Sequence, residues 1–214
     1  AHSPTYQEPA MMHLTGINQN NVILLLDPNS KVSDEILFVD TKNRVMEFWE
    51  GVRFGVGDEQ SLKEVRSVIG IQDVRDISEF KDVLKERFKK QKKKTLGTLW
   101  LEGIQRGKAV SIKTDHNFDF KKKLEGWLRS WKAPKGALKN IMKNHFELRL
   151  PLDKYDIANA RKAQDITNGG YKVMLKNFKK FANECQVQGY LEGQMLMNSP
   201  FGLSYPSIVA SGSN

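Results

Sequence analysis

Cysteine is almost missing from this sequence: among 214 residues, Cys185 stands alone. That excludes an intramolecular disulfide framework and any zinc site built only from cysteine. Long apolar runs are missing too. The longest, Val22-Ile23-Leu24-Leu25-Leu26, falls far short of the roughly 18 residues that a membrane-spanning helix needs. No secretory signal pattern opens the sequence, so the expectation is a protein of a reducing cytoplasm with no membrane partner. Repeats are absent, and the one compositionally biased tract is a lysine run. What is present suffices for a core. Hydrophobic residues make up 39% of the chain, with 11 Phe, 5 Tyr and 4 Trp, which excludes wholesale disorder. The length suits one domain, or one domain and part of a second.

Charge is the other conspicuous feature. Thirty-four Lys and Arg against 25 Asp and Glu leave a net +9. Excess positive charge invites a nucleic-acid reading, because counterion release drives binding to phosphates. The excess is concentrated, however: Arg87-Phe88-Lys89-Lys90-Gln91-Lys92-Lys93-Lys94 holds six basic residues in eight. It lies between a helical and a strand pattern, where cations complement the C-terminal end of a helix dipole. No DNA- or RNA-reading motif accompanies it. The solvated helix end is the favoured reading and nucleic-acid contact the lesser one.

Hydrophobic periodicity predicts the order of elements. The first twenty residues read as loop. Residues 22–26 and Glu35-Ile36-Leu37-Phe38-Val39 read as a hairpin, and Val45-Met46-Glu47-Phe48-Trp49 as a third extended segment. Leu62, Val65, Val68 and Ile69 mark a helix face ended by Gly70. Residues 73–77 are extended, and Asp76 with Glu79 resembles a capping box ahead of a helix carrying Phe80, Val83, Leu84 and Phe88. Residues 96–101 read as a strand. Phe120, Leu124, Trp127, Leu128 and Trp131 line one helical face, closed by Pro134 and Gly136. This alternation argues for an α/β domain whose sheet is mixed, because its first two strands form a hairpin.

Residues 146–151 then read as extended. Asp153 and Asp156 open a long helix carrying Ala160, Ala163, Thr167, Met174, Phe178 and Phe181 on one face. Gly169-Gly170 sits inside it at about 1 kcal/mol each relative to alanine; a bend and a close packing contact both explain the pair. A second helix over residues 186–197 and a strand over 205–211 complete the reading.

Three segments together resemble the aminopeptidase P, or Xaa-Pro aminopeptidase, branch of the pita-bread metallopeptidases. They are Leu14-Thr15-Gly16-Ile17 with the strand and Asp27-Pro28 that follow; Glu47-Phe48-Trp49-Glu50-Gly51-Val52-Arg53-Phe54-Gly55; and Glu147-Leu148-Arg149-Leu150 with residues 160–167 and Tyr205-Pro206-Ser207-Ile208-Val209-Ala210-Ser211-Gly212. The resemblance implies a creatinase/prolidase-type N-terminal domain over residues 1–143, a mixed sheet flanked by helices. A linker and the first helices and strand of an incomplete pita-bread domain would occupy 144–214. It implies a metallo-aminopeptidase that removes the residue ahead of a proline, using two divalent metal ions, manganese in most members. Their two Asp, one His and two Glu ligands lie beyond the residue 205–212 strand. The chain is therefore expected to be a portion cut at both ends, inactive by itself, which shapes access to the site and supports homo-oligomer formation.

In such relatives the tryptophan matching Trp49 reaches a neighbouring subunit's substrate pocket, so Trp49 is the substrate-binding candidate. The competing reading packs it beside Phe48 and Phe54. Arg53 accompanies it, either paired with a neighbouring carboxylate or solvated. Catalytic and metal-ligating residues are expected to be none in this stretch. Asp115-His116-Asn117-Phe118-Asp119 mixes carboxylates and imidazole but suits helix capping better. Cys185 lacks a histidine partner in sequence, and Ser207 and Ser211 lack a nucleophile elbow. His2, His13 and His145 show no partners in sequence. Two alternatives remain: a non-catalytic binding module like the histone-chaperone relatives of this fold, and a basic nucleic-acid-binding domain.

Overall fold

The structure, a computed structural model, describes residues 9–98, 116–199, 202–205 and 207–212. The chain divides into two compact units, Ala1–His145 and Phe146–Asn214.

The first unit is organised by one strand. β1 (Ile23–Leu26) and β2 (Glu35–Val39) form the antiparallel hairpin, with Ile23 opposite Phe38 and Leu26 opposite Glu35. β3 (Val74–Asp76) joins the far edge of β2 in parallel, giving the order β1-β2-β3. The mixed sheet is thus as expected. Four consecutive residues of β2, Ile36 to Val39, are buried. Side chains alternate across a strand, so they serve two cores. Leu37 and Val39 meet Ile17, Val56, Val65, Ile71 and Val74 on one face. Ile36 and Phe38 meet Phe80, Leu84 and Leu124 on the other. The Phe38 and Phe80 rings pack edge to face at 5.2 Å, an arrangement favoured by the aromatic quadrupole.

Helices cover both faces. α1 (Pro9–Thr15) precedes the sheet, and α2 (Arg44–Glu50) and α3 (Glu59–Ile69) fall between β2 and β3. Asp58 caps α3 through Ser61 N–H, and Gly70 ends it at φ 84°, a left-handed position suited to glycine. Asp76 caps a short 3₁₀ turn (Ile77–Glu79) that leads into α4 (Phe80–Lys90). The hydrophobic face predicted for α4 is the one that is buried. β4 (Leu96–Thr98) pairs in parallel with β5 (Leu138–Asn140), across α5 (His116–Ser130). Residues 99–101 of the predicted strand lie outside the described residues.

The second unit is helical among the described residues. α6 (Met142–Arg149) crosses the division, followed by α7 (Lys154–Asn177), a 3₁₀ turn (Phe178–Lys180) and α8 (Glu184–Leu196). Asp153 and Asp156 form a reciprocal capping box at the start of α7. α7 and α8 pack as a helical hairpin around Met174 and Leu191. Gly170 is where they touch: a Cβ there would stand 3.3 Å from Leu191 Cδ1 and 3.4 Å from Met195 Cγ. Close packing therefore explains Gly170, whereas Gly169 faces open space.

Four expectations are corrected. Residues 45–49 are helical, because Asn43 Oδ1 accepts from Val45 N and Met46 N and Gly51 stops the turn at φ 88°. Capping at both ends outweighs the β-propensity of Val, Phe and Trp. Residues 9–15 form a helix with proline at its first position, where no N–H is needed. The expected linker strand over 146–151 is mostly α6, whose start Asn140 caps through Met142 N–H. The expected pita-bread strand over 205–211 is absent from the described residues. Ser207 and Ser211 instead hydrogen-bond Glu192 and Glu184 of α8. Smaller departures concern faces: Val68, Ala160 and Ala163 are exposed.

The two adjacent glycines should respond oppositely. Gly169→Ala is expected to stabilise the protein by about 0.5–1 kcal/mol through helix propensity. Gly170→Val is expected to destabilise it by about 1–3 kcal/mol by overpacking the α7–α8 contact. Thermal melts of both variants check this.

Candidate functional site

The segment carrying Trp49 and Arg53 is a corner that leaves α2 and returns to the sheet. Its return is fixed by main-chain bonds: Val56 N donates to Asp40 O at 3.1 Å and Lys42 N to Val56 O at 2.7 Å. The chains approach so closely that a Cβ on Gly55 would lie 3.0 Å from Asp40 O and 3.1 Å from Lys42 Cα. A side chain there would require the Asp40–Lys42 main chain to give by a few tenths of an ångström.

The corner sorts its aromatic residues to opposite sides. Phe54 turns inward and packs on the Leu37–Val65 core. Phe48, Trp49 and Val52 point outward, at 79%, 74% and 80% exposure. Trp49 meets Phe48 edge to face at 5.2 Å, while Phe54 turns away into the core. Arg53 reaches Asn20 O through a guanidinium nitrogen at 3.3 Å.

Sequence reasoning overlooked the side chains beneath this surface. Gln19, buried, donates from Nε2 to Phe54 O and accepts Phe54 N–H on Oε1, both at 2.9 Å. Glu47 Oε1 accepts Arg53 N–H at 3.1 Å and lies 3.7 Å from Lys42 Nζ. Lys42 also bonds Glu64 of α3 at 3.2 Å, which holds its ammonium protonated above the usual lysine range. Nothing in the local pattern marks Gln19, since its partner is 35 residues away. Glu47 was hidden by the extended reading of its segment.

The remaining candidates do not converge. Asp115 and His2 lie outside the described residues, as does the side chain of His116. Cys185 is exposed. Among the described residues, no three His, Cys, Asp or Glu side chains cluster as a metal site. Asp153, Asp156, Glu184 and Glu192 of the second unit are engaged elsewhere, and Asp165 is exposed on α7. Asp153 accepts from Tyr155 N and Asp156 N at 2.7 and 2.8 Å, and Asp156 faces Arg149 at 3.3 Å. Bonds from Ser211 and Gln188 hold the Glu184 and Glu192 carboxyls below the usual glutamate range. These residues do not fit a dinuclear metal centre, which needs several carboxylates converging on one point.

The basic run behaves as a helix end. Arg87 is drawn under the β1–β2 turn, 3.5 Å from Asp27 and bonded to Ser30. Lys90 pairs with Glu86 one turn back. Lys94 folds back on the last carbonyls of α4, bonding Phe88 O at 2.9 Å and also Lys89 O. Lys89, Lys92 and Lys93 are exposed.

Residues 2–96 match the family model for the aminopeptidase P N-terminal domain. The chain is similar to a protein of Fusarium vanettenii named "Probable Xaa-Pro aminopeptidase PEPP", 34% identical over 64 residues, or 30% of this chain and 14% of that one. It is similar to a "Probable Xaa-Pro aminopeptidase" of Chaetomium globosum, 35% identical over 60 residues, covering 28% of this chain and 10% of that protein. Among solved structures, Pseudomonas aeruginosa aminopeptidase PepP superposes with a TM-score of 0.66 at 16% identity, over 90% of this chain and 40% of that one. Aminopeptidase P from E. coli in its low-pH form gives 0.66 at 18%, over 93% and 42%. At these identities the superpositions establish the fold. The chain thus spans less than half of the solved relatives and a smaller share of the curated ones.

The carboxylates at the edge of β3 set an acid limit. Asp73 is held below the usual aspartate range first by its bond from Arg75, and Asp76 first by its bond from Ser78 and then by Thr41. Groups depressed in the folded state contribute stability that is present above the unfolded aspartate value and lost as pH falls through the folded one. Stability of the first unit is therefore expected to fall as pH drops below about 4. The Asp73→Asn/Asp76→Asn protein should be less stable at neutral pH with a shallower acid decline, as urea melts from pH 6 to 2.5 would measure.

Proposed function

We propose, from the match of residues 2–96 to the aminopeptidase P N-terminal domain, that the chain is the access-shaping, oligomer-forming portion of a metallo-aminopeptidase. The enzyme removes the N-terminal residue from peptides with proline in second position. Relatives bearing the name Xaa-Pro aminopeptidase support this reading. The observation that carries it in this chain is the Trp49 corner: an exposed indole flanked by Phe48, Val52 and the Arg53 cation.

The chemistry suits the substrate. Proline fixes φ and lacks an N–H, so recognition relies on its apolar ring more than on main-chain hydrogen bonding. An exposed indole offers a flat apolar face for that ring, and a guanidinium offers a carboxylate or carbonyl of the peptide a charged donor. Presented from one subunit toward another's pocket, Trp49 and Arg53 would contact the peptide in a homo-oligomer.

Two divalent ions, with manganese the proposed metal, would generate the nucleophile by lowering the pKa of a bound water. Their ligands must come from polypeptide beyond the carboxylates described above, which are engaged elsewhere or exposed. The chain alone should therefore be inactive. A single free, exposed cysteine accords with a reducing cytoplasm.

Joined to the downstream sequence of its gene, the protein is expected to cleave an Arg-Pro peptide with stimulation by manganese, and the 214-residue chain is expected not to. Trp49→Ala in the joined protein should raise KM about fivefold or more with a smaller effect on kcat. Steady-state kinetics and equilibrium dialysis with manganese measure both. Cleavage or stoichiometric manganese uptake by the chain alone would contradict the proposal. Absence of activity from a folded, metal-loaded joined protein would favour the non-catalytic binding module.

A further inference from the structure

The main chain that follows α2 is held by side chains from distant and neighbouring segments. Between Gly51 and Val56 the main chain along Val52 to Phe54 has no strand neighbour among the described residues, yet the Arg53 N–H and both polar groups of Phe54 are bonded. Gln19 presents both halves of its amide to Phe54, donor to carbonyl and acceptor to N–H, each at 2.9 Å. It thereby imitates the paired bonds of an adjoining strand. Glu47 takes the Arg53 N–H at 3.1 Å from six residues earlier, on α2. Lys42 fixes the Glu47 carboxylate from the other side, at 3.7 Å, while bonded to Glu64 of α3 at 3.2 Å. Asn20, next to Gln19, supplies the carbonyl that the Arg53 guanidinium reaches.

We infer that Gln19 and Glu47 are positioning residues for peptide recognition: Gln19 sets the end of the corner through Phe54, and Glu47 sets its middle through Arg53. The inference rests on the reading of Trp49 and Arg53 as peptide contacts. Chemistry dictates the residue types. The site at Phe54 needs a donor and an acceptor on one rigid plane, which a side-chain amide provides and a carboxylate does not. The site at Arg53 needs only an acceptor, which Glu and Gln both provide. A long, exposed indole on an untethered corner would lose the geometry that makes binding productive, and small misplacements are costly.

The test uses the joined peptidase, with two readouts: amide hydrogen exchange at Arg53 and Phe54, and KM against kcat for an Arg-Pro peptide. Gln19→Ala and Glu47→Ala are expected to speed exchange at those two amides about tenfold, with Leu37 and Phe38 still protected. KM should rise about threefold with kcat within about twofold. Glu47→Gln keeps the acceptor and should restore KM. Gln19→Glu keeps the acceptor but loses the donor, should fall between wild type and Gln19→Ala, and carries the test if the alanine variant does not fold. If Trp49→Ala raises KM while the Gln19 and Glu47 variants leave it at the wild-type value, the inference is overturned and the reading of the corner stands. If Trp49→Ala also leaves KM unchanged, that reading fails and the inference falls with it; faster exchange would then mark the clamp as structural only.

Discussion

Everything in the first unit depends on β2 being buried on both faces. Ile36 to Val39 contribute alternately to two cores, so this short strand carries apolar contacts for α3 on one side and for α4 and α5 on the other. Strands of this kind read as continuous hydrophobic runs instead of alternating ones. A register slip of one residue would exchange Phe38, matched to the Phe80 ring, with Leu37 or Val39, matched to Val65 and Ile71. The register of the hairpin and the packing of three helices are thus one constraint.

The same strand places the corner. Residues 40–42, directly after β2, give the main-chain groups that fix Val56 and press closely on Gly55. The corner is therefore tied to the best-buried strand of the unit, while Phe48, Trp49 and Val52 stay in water. Leaving three large apolar side chains outside forgoes about 1.5–3 kcal/mol of burial apiece. In the proposed reading this cluster is the surface that meets the peptide. The Gln19 and Glu47 bonds explain how it is kept in shape without joining the core.

Much of this was legible in the sequence, and the exceptions have physical reasons. The hairpin, β3, α4, α5 and α7 announce themselves through apolar period and capping residues such as Asp76 and Asp153. The residues of α2 and of α6 with its exit misread as strands because Val45, Phe48 and Trp49, and Phe146, Leu148 and Leu150, have β-propensity or alternate with polar neighbours. Their caps, Asn43 and Asn140, decide the outcome, and an isolated asparagine is a weak signal. The strand-like run over 205–211 has the right side chains but no pairing strand among the described residues, and a strand is a property of a pair. Trp49 could be singled out by resemblance; that it faces solvent, and that Gln19 and Glu47 brace its corner, depends on contacts between distant parts of the chain.

The claim that matters most is that the Trp49 corner touches the peptide. Incorporating 5-fluorotryptophan and assigning the Trp49 resonance by substitution allows a direct reading in the joined peptidase during titration with a slowly cleaved Xaa-Pro peptide. The account predicts a saturable shift of that resonance at the concentrations that inhibit turnover. A resonance that stays fixed while the peptide demonstrably occupies the enzyme would contradict it.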